Sequence, residues 1–283
     1  MRAIRLSDFA LDGGAMHGVV PKVLWSAVHA ADERNRIALA ARALLVDLPA
    51  CGARLLVDTG LGAAWGPKQR EIYAIAAPAR DAPSALREAG VDPETITHVL
   101  LTHLHWDHAG GTVLRRGGEL DLAFPRAEHI AGRRCLEHAR RPSDKDAGSF
   151  RQADLELLAA RARLRLWETG EPLVPGIEGR ECSGHCPGMI VPLVRERDDG
   201  PPLAVAADLI PTRSHLRHNW VMAYDNEPLL SLREKRALLE ELAAIGGGVL
   251  LYHDPEVEAA WCRSGPDGAP RLVPGRLDGT ALD

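Results

Sequence analysis

Four short apolar runs, each followed closely by an aspartate or a histidine, constrain this chain more than any other feature. Arg54-Leu55-Leu56-Val57 leads to Asp58, Thr97 to Leu101 leads to His103, Leu203 to Ala206 leads to Asp208, and Val249 to Tyr252 leads to His253. Runs of this length and aliphatic content read as buried strands. Any one such residue reads as a turn starter, but four strands ending in metal-ligand or acid-base side chains point to a site built at one sheet edge. Helical segments lie between the strands, from Ser84 to Ala89 before Gly90, and from Ser231 to Ile245 before Gly246. Ser231 and Glu234 have the spacing of a capping box at the start of the second. No fixed-period repeat or low-complexity linker divides the chain, so residues 1–283 read as a single domain, with the Gly- and Pro-rich stretch 263–283 as a hairpin or extended tail.

Composition narrows the function by exclusion. With 34 Lys and Arg against 39 Asp and Glu, the formal net charge is −5, and no basic stretch offers a grip on a nucleic-acid backbone. No window approaches the roughly 20 apolar residues needed to span a bilayer, so neither nucleic acid nor membrane is an expected partner and a cytoplasmic location is expected. The five cysteines are odd in number and scattered, which suits free thiols in a reducing compartment better than a disulfide framework.

The stretch Thr102-His103-Leu104-His105-Trp106-Asp107-His108-Ala109-Gly110-Gly111 sets three imidazoles and a carboxylate within six positions directly after an apolar run. Neutral imidazole and carboxylate are preferred ligands of zinc, and a short turn can aim alternate side chains into one cavity. The two glycines let backbone pass close behind the turn.

This stretch resembles the His-x-His-x-Asp-His signature of the metallo-β-lactamase superfamily. The family's other landmarks are found in order: Leu56-Val57-Asp58-Thr59-Gly60, Gly184-His185-Cys186-Pro187-Gly188, Asp208 and His253. Three further segments, Leu11 to Met16, Asp208 to Thr212 and Trp220 to Asp225, are similar to the branch of YtnP-type quorum-quenching lactonases and methyl parathion hydrolase. The resemblance implies an α/β fold, an αββα sandwich of two mixed sheets with helices on the outer faces. It implies that His103, His105 and His185 hold one metal, that Asp107, His108 and His253 hold the other, that Asp208 bridges them and that Asp58 supports the site from behind. The implied cofactors are two divalent ions, zinc foremost, with manganese, iron or cobalt as alternatives. The implied activity is hydrolysis of a small ester, lactone or phosphotriester by a metal-bridging hydroxide, with Asp107 orienting it and shuttling its proton.

The chain also departs from the pattern. Cys182 and Cys186 flank His185, where they read as small buried hydrophobes rather than ligands. Leu209-Ile210-Pro211 follow the bridging Asp where acyl-homoserine lactonases carry a tyrosine, so such lactones are expected to be secondary substrates. Met16, His17, His215, His218 and Tyr224 are candidate pocket residues, Trp106 is expected to pack against the loop, and His29, His98, His129 and His138 read as surface or satisfied core residues. A mononuclear iron oxygenase of the persulfide-dioxygenase kind is the alternative on this fold, and it requires loss of the second ligand set. A small-molecule substrate is the expected partner, and a homodimer is admitted.

Overall fold

The computed structural model describes residues 1–76, 80–116, 118–196, 200–264 and 270–277. In chain order the strands are β1 (Arg2–Asp12), β2 (Arg36–Leu48), β3 (Ala53–Val57), β4 (His98–Leu101), β5 (Val113–Arg116), β6 (Glu119–Leu122), β7 (Glu128–Gly132) and β8 (Arg163–Trp167). They continue with β9 (Pro172–Val174), β10 (Ile177–Cys182), β11 (Met189–Val194), β12 (Leu203–Val205), β13 (Gly248–Leu250), β14 (Ala259–Ser264) and β15 (Pro270–Gly275). The first sheet runs β1-β2-β3-β4-β7-β8 and the second β15-β14-β13-β12-β11-β10-β9, while β5 and β6 form a separate hairpin. Both large sheets are mixed: β3, β4, β7 and β8 pair in parallel, as do β12 and β13.

Period-two alternation sorts side chains between the layers. Leu44, Val46, Leu55, Val57, Leu100 and Ile130 of the first sheet meet Ile190, Val194, Leu203, Val205 and Leu250 of the second in one buried interface. Their neighbours Leu45, Leu56, Val99 and Leu101 face the other way, onto Leu86, Leu136, Leu155 and Leu158 of the outer helices. On the far side Val191, Ala204, Val249 and Leu251 take Leu238 and Leu242 from the long helix Pro228–Ile245. The fold is the expected αββα sandwich.

All four strands read from the apolar runs are present, as β3, β4, β12 and β13. The capping box is not. The long helix begins at Pro228, which places Ser231 inside it, and Glu234 instead accepts hydrogen bonds from the backbone N–H of Ser183 (2.8 Å) and Gly184 (2.9 Å). Proline is well suited to a first helical position, and it won the boundary. The C-terminal hairpin starts at Ala259, before the expected residue 263, and β15 closes the edge of the second sheet. Residues 265–269 and 278–283 of the expected tail lie outside the described residues.

Candidate metal centre

The site sits where strand ends open onto one edge of the sandwich. β3 ends at Val57 and hands on to Asp58, which has a left-handed backbone (φ 61°), and β4 ends at Leu101, from which Thr102 leads into the histidine turn. That turn passes so close to the loop after β3 that a Cβ on Gly111 would lie 2.0 Å from the Thr59 carbonyl oxygen, and one on Gly110 2.6 Å from that of Leu61. Only glycine fits both positions, as the sequence suggested. Ala207, before Asp208, also has positive φ (44°), a conformation glycine adopts without strain.

Two ligand sets result. Donor atoms of His103, His105, His185 and Asp208 lie within 4.8 Å of one another, as do those of Asp107, His108, Asp208 and His253. Asp208 belongs to both. Its Oδ1 lies 3.1 Å from Nε2 of His108 and 3.1 Å from Nε2 of His253, while its Oδ2 lies 3.1 Å from Nε2 of His185 and 3.9 Å from that of His103.

The outward nitrogens of three imidazoles are fixed by acceptors. His108 Nδ1 donates to Asp58 Oδ2 (2.9 Å), His185 Nδ1 to Asp225 Oδ1 (2.9 Å) and His253 Nδ1 to the Ala40 carbonyl (2.8 Å). Their Nε2 atoms therefore turn lone pairs inward. There they meet other nitrogens: His108 Nε2 faces His253 Nε2 at 3.1 Å, and His185 Nε2 faces His105 Nδ1 at 3.2 Å. The fully buried Nε2 of His103 has no hydrogen-bond partner among the described residues. Buried ring nitrogens facing one another are what divalent cations would satisfy, so the residues present fit two ions.

The electrostatics divide the imidazoles into two held neutral and two drawn toward a protonated form whose proton a bound cation would displace. Burial pushes His103 and His105 well below the usual imidazole range, which keeps them neutral and able to ligate. Burial opposes the charging of His185 too, but Asp208 and Asp225 outweigh it and raise its pKa to about 9. His108 is raised likewise by Asp208 and Asp58. Although burial alone would raise Asp208, the surrounding imidazoles hold it well below the carboxylate range. Asp107 is raised by burial.

A cavity of about 240 Å³ opens over both sets, and its wall includes Met16, Tyr73, Trp106, Lys145, Met222 and Tyr224. Of the candidate pocket residues, Met16 and Tyr224 line this cavity. His17 and His218 do not. His17 is fully buried, stacked on Trp25 and His215 and hydrogen-bonded to Ser214 Oγ (3.1 Å), so the aromatic cluster behind the wall has absorbed it. His215 belongs to the same cluster, and His218 pairs with Arg236 on another face. Trp106 does pack, edge-on to Trp65 and Phe9, and also reaches the cavity. Cys182 and Cys186 are buried and belong to neither ligand set. His29 and His129 are buried with hydrogen bonds to Thr212 and Ala127, while His98 and His138 are half-buried beside Thr97 and Asp146.

Two supports are not evident from the sequence, Asp225 at the end of the segment Trp220 to Asp225 and Tyr252 at the end of an apolar run. The Tyr252 hydroxyl donates to the Asp107 carbonyl (3.0 Å) and its ring stacks on His108.

A two-sheet sandwich with adjoining histidine–aspartate ligand sets at its edge defines the class. The chain belongs to the metallo-β-lactamase superfamily, whose family model matches residues 38–248. Among solved structures it is similar to a probable metal-dependent hydrolase from Staphylococcus aureus, with 27% identity, coverage of 96% of this chain and 95% of that one, and a TM-score of 0.83. It shares its fold with AidC, a dizinc quorum-quenching lactonase solved with a product, at 19% identity, a TM-score of 0.75, and coverage of 97% of this chain and 94% of that one. In sequence it is 26% identical over 187 residues to an N-acyl homoserine lactonase from a Bacillus species. That match takes in 64% of this chain and spans 65% of the lactonase's length. Among the described residues no helix is long and apolar enough to cross a membrane.

Proposed function

We propose that the chain is a metal-dependent hydrolase of small esters, lactones or phosphotriesters, holding two divalent ions, zinc foremost. The observation that carries this reading is the division of the two Asp208 oxygens between the two ligand sets. When bound, such a pair supplies a hydroxide nucleophile near neutral pH and polarises the scissile carbonyl or phosphoryl oxygen.

The chain's own residues do the rest. His103, His105 and His185 hold one ion, Asp107, His108 and His253 the other, and the Asp208 carboxylate offsets repulsion between the two cations. Asp58 and Asp225 hold the rings of His108 and His185 in ligating tautomers. Asp107 has its Oδ2 3.5 Å from His253 Nε2 and lines the cavity, and burial raises the affinity of its carboxylate for a proton. It is placed to take the proton of the attacking water and return it to the leaving oxygen. Met16, Trp106 and Met222 give the cavity an apolar part beside the ligand sets.

The S. aureus and Bacillus relatives support the hydrolase reading. Both ligand sets are complete, whereas a mononuclear oxygenase requires the second to be lost, so we do not adopt that alternative. The test is a hydrolysis screen of zinc- and manganese-loaded protein against lactones, aryl esters and phosphotriesters. Turnover that disappears on chelation and returns with metal is expected; turnover indifferent to chelation would end the proposal.

A further inference from the structure

The cavity has one feature that ester hydrolysis does not require. Among its described wall residues Lys145 is the only lysine or arginine. It lies at the exposed rim, in the connection between helices Arg133–Arg140 and Gln152–Arg161, and it makes no ion pair among the described residues. Its one hydrogen bond donates from Nζ to the Tyr224 carbonyl across the mouth (2.7 Å). An ammonium has three donors, so two remain.

The neighbouring residue fixes the loop that carries this lysine. Asp146 is buried and accepts from Ser143 Oγ (2.7 Å), His138 Nε2 (2.6 Å) and Asn226 Nδ2 (2.8 Å). These bonds tie its loop to the preceding helix and to the opposite rim. They also occupy the Asp146 carboxylate, and neither Asp144 nor Asp146 forms an ion pair with Lys145 among the described residues. The result is a positioned, unpaired cation on the wall that also carries His105, His185, Asp208 and His253.

Resting on the hydrolase reading above, we propose that Lys145 is a specificity-determining residue that binds a carboxylate of the substrate. The preferred substrates are then esters or lactones with an acidic substituent on the acyl side, rather than neutral acyl chains. A single ammonium matches the single charge of a carboxylate, and no second lysine or arginine is among the described wall residues to meet a more highly charged group.

The test compares 4-nitrophenyl hydrogen glutarate with 4-nitrophenyl butyrate on the zinc-loaded chain and its Lys145→Met and Lys145→Arg variants. Binding of free glutarate and free butyrate is measured alongside by calorimetry. Because the lysine is exposed and screened, the expected preference is modest, about fivefold for glutarate in both kcat/KM and affinity, and expressed through KM. Lys145→Met brings both ratios to about one and Lys145→Arg keeps them. Equal handling of the two acids by the wild type, or a preference that survives Lys145→Met, overturns the proposal. If neither ester is turned over, the glutarate-to-butyrate binding ratio still decides the role of Lys145, and the hydrolase reading is decided separately by the screen of lactones, aryl esters and phosphotriesters.

Discussion

Replacing Asp58 by asparagine should remove metal from one ligand set and spare the other. Asp58 is fully buried, and its two oxygens accept three hydrogen bonds: Oδ1 from the Thr102 backbone N–H (2.8 Å), and Oδ2 from Thr102 Oγ1 (2.8 Å) and His108 Nδ1 (2.9 Å). Asparagine keeps the shape and tolerates the left-handed backbone, but one end of its amide only donates. Whichever way it is turned, that end faces an N–H, of Thr102 or of His108. The Thr102 hydroxyl can rotate to accept; an N–H cannot. One buried donor is therefore left unpaired, at a cost of about 1–3 kcal/mol. If His108 escapes by moving its proton to Nε2, it loses the lone pair that faces Asp208 and His253. Either route weakens the set of Asp107, His108, Asp208 and His253 by about 10–100-fold, the range typical of lost supporting partners. The set with His103, His105 and His185, whose fixed ring rests on Asp225, should stay within about threefold. Competition with a chromogenic zinc chelator, fitted to two sites, reads both affinities. Two unchanged affinities, or equal losses at both sites, would refute the reasoning.

Other expectations follow from the same geometry. Gly111→Ala drives a Cβ to 2.0 Å from the Thr59 carbonyl oxygen, and urea unfolding should show a loss of about 1–3 kcal/mol together with weaker metal binding. His129 is held neutral by burial with a pKa lowered to about 4, against about 6.5 when unfolded. The unfolded chain then binds the extra proton between those values, so stability is full above pH 6.5 and falls as pH drops toward 4. The loss is about 3 kcal/mol, which unfolding curves at pH 7.5 and 4.5 for the wild type and His129→Leu should show as a difference in acid sensitivity. Tyr224 lies on the cavity wall, and its hydroxyl has no hydrogen-bond partner among the described residues. With Leu209-Ile210-Pro211 after the shared aspartate, a nitrophenyl ester should exceed a long-chain acyl-homoserine lactone in kcat/KM. The opposite preference, abolished in Tyr224→Phe, would show that this phenol assists the lactone.

The parts legible in the sequence were those with local causes. Apolar runs at strand length gave β3, β4, β12 and β13, and the spacing of His103, His105, Asp107 and His108 is enforced by one turn. What stayed hidden depends on packing between distant segments. Asp225 matters because the loop before the long helix delivers it to His185, which its flanking residues do not announce. His17 sits next to a true wall residue, Met16, yet one step along a short helix turns it onto Trp25 and into the core. The capping box at Ser231 and Glu234 failed because the pattern was right but Pro228 had already started the helix. Glu234 was then free to bind the backbone just before His185.

The central claim is that Asp208 joins two metal sites into one centre, and elemental analysis tests it most directly. After dialysis against excess zinc and removal of free metal, the wild type should retain about two ions per chain and Asp208→Ala fewer than one, since both sets lose a ligand and the shared charge. A wild type that holds a single ion, or an Asp208→Ala variant that keeps two at wild-type affinity, would contradict the account.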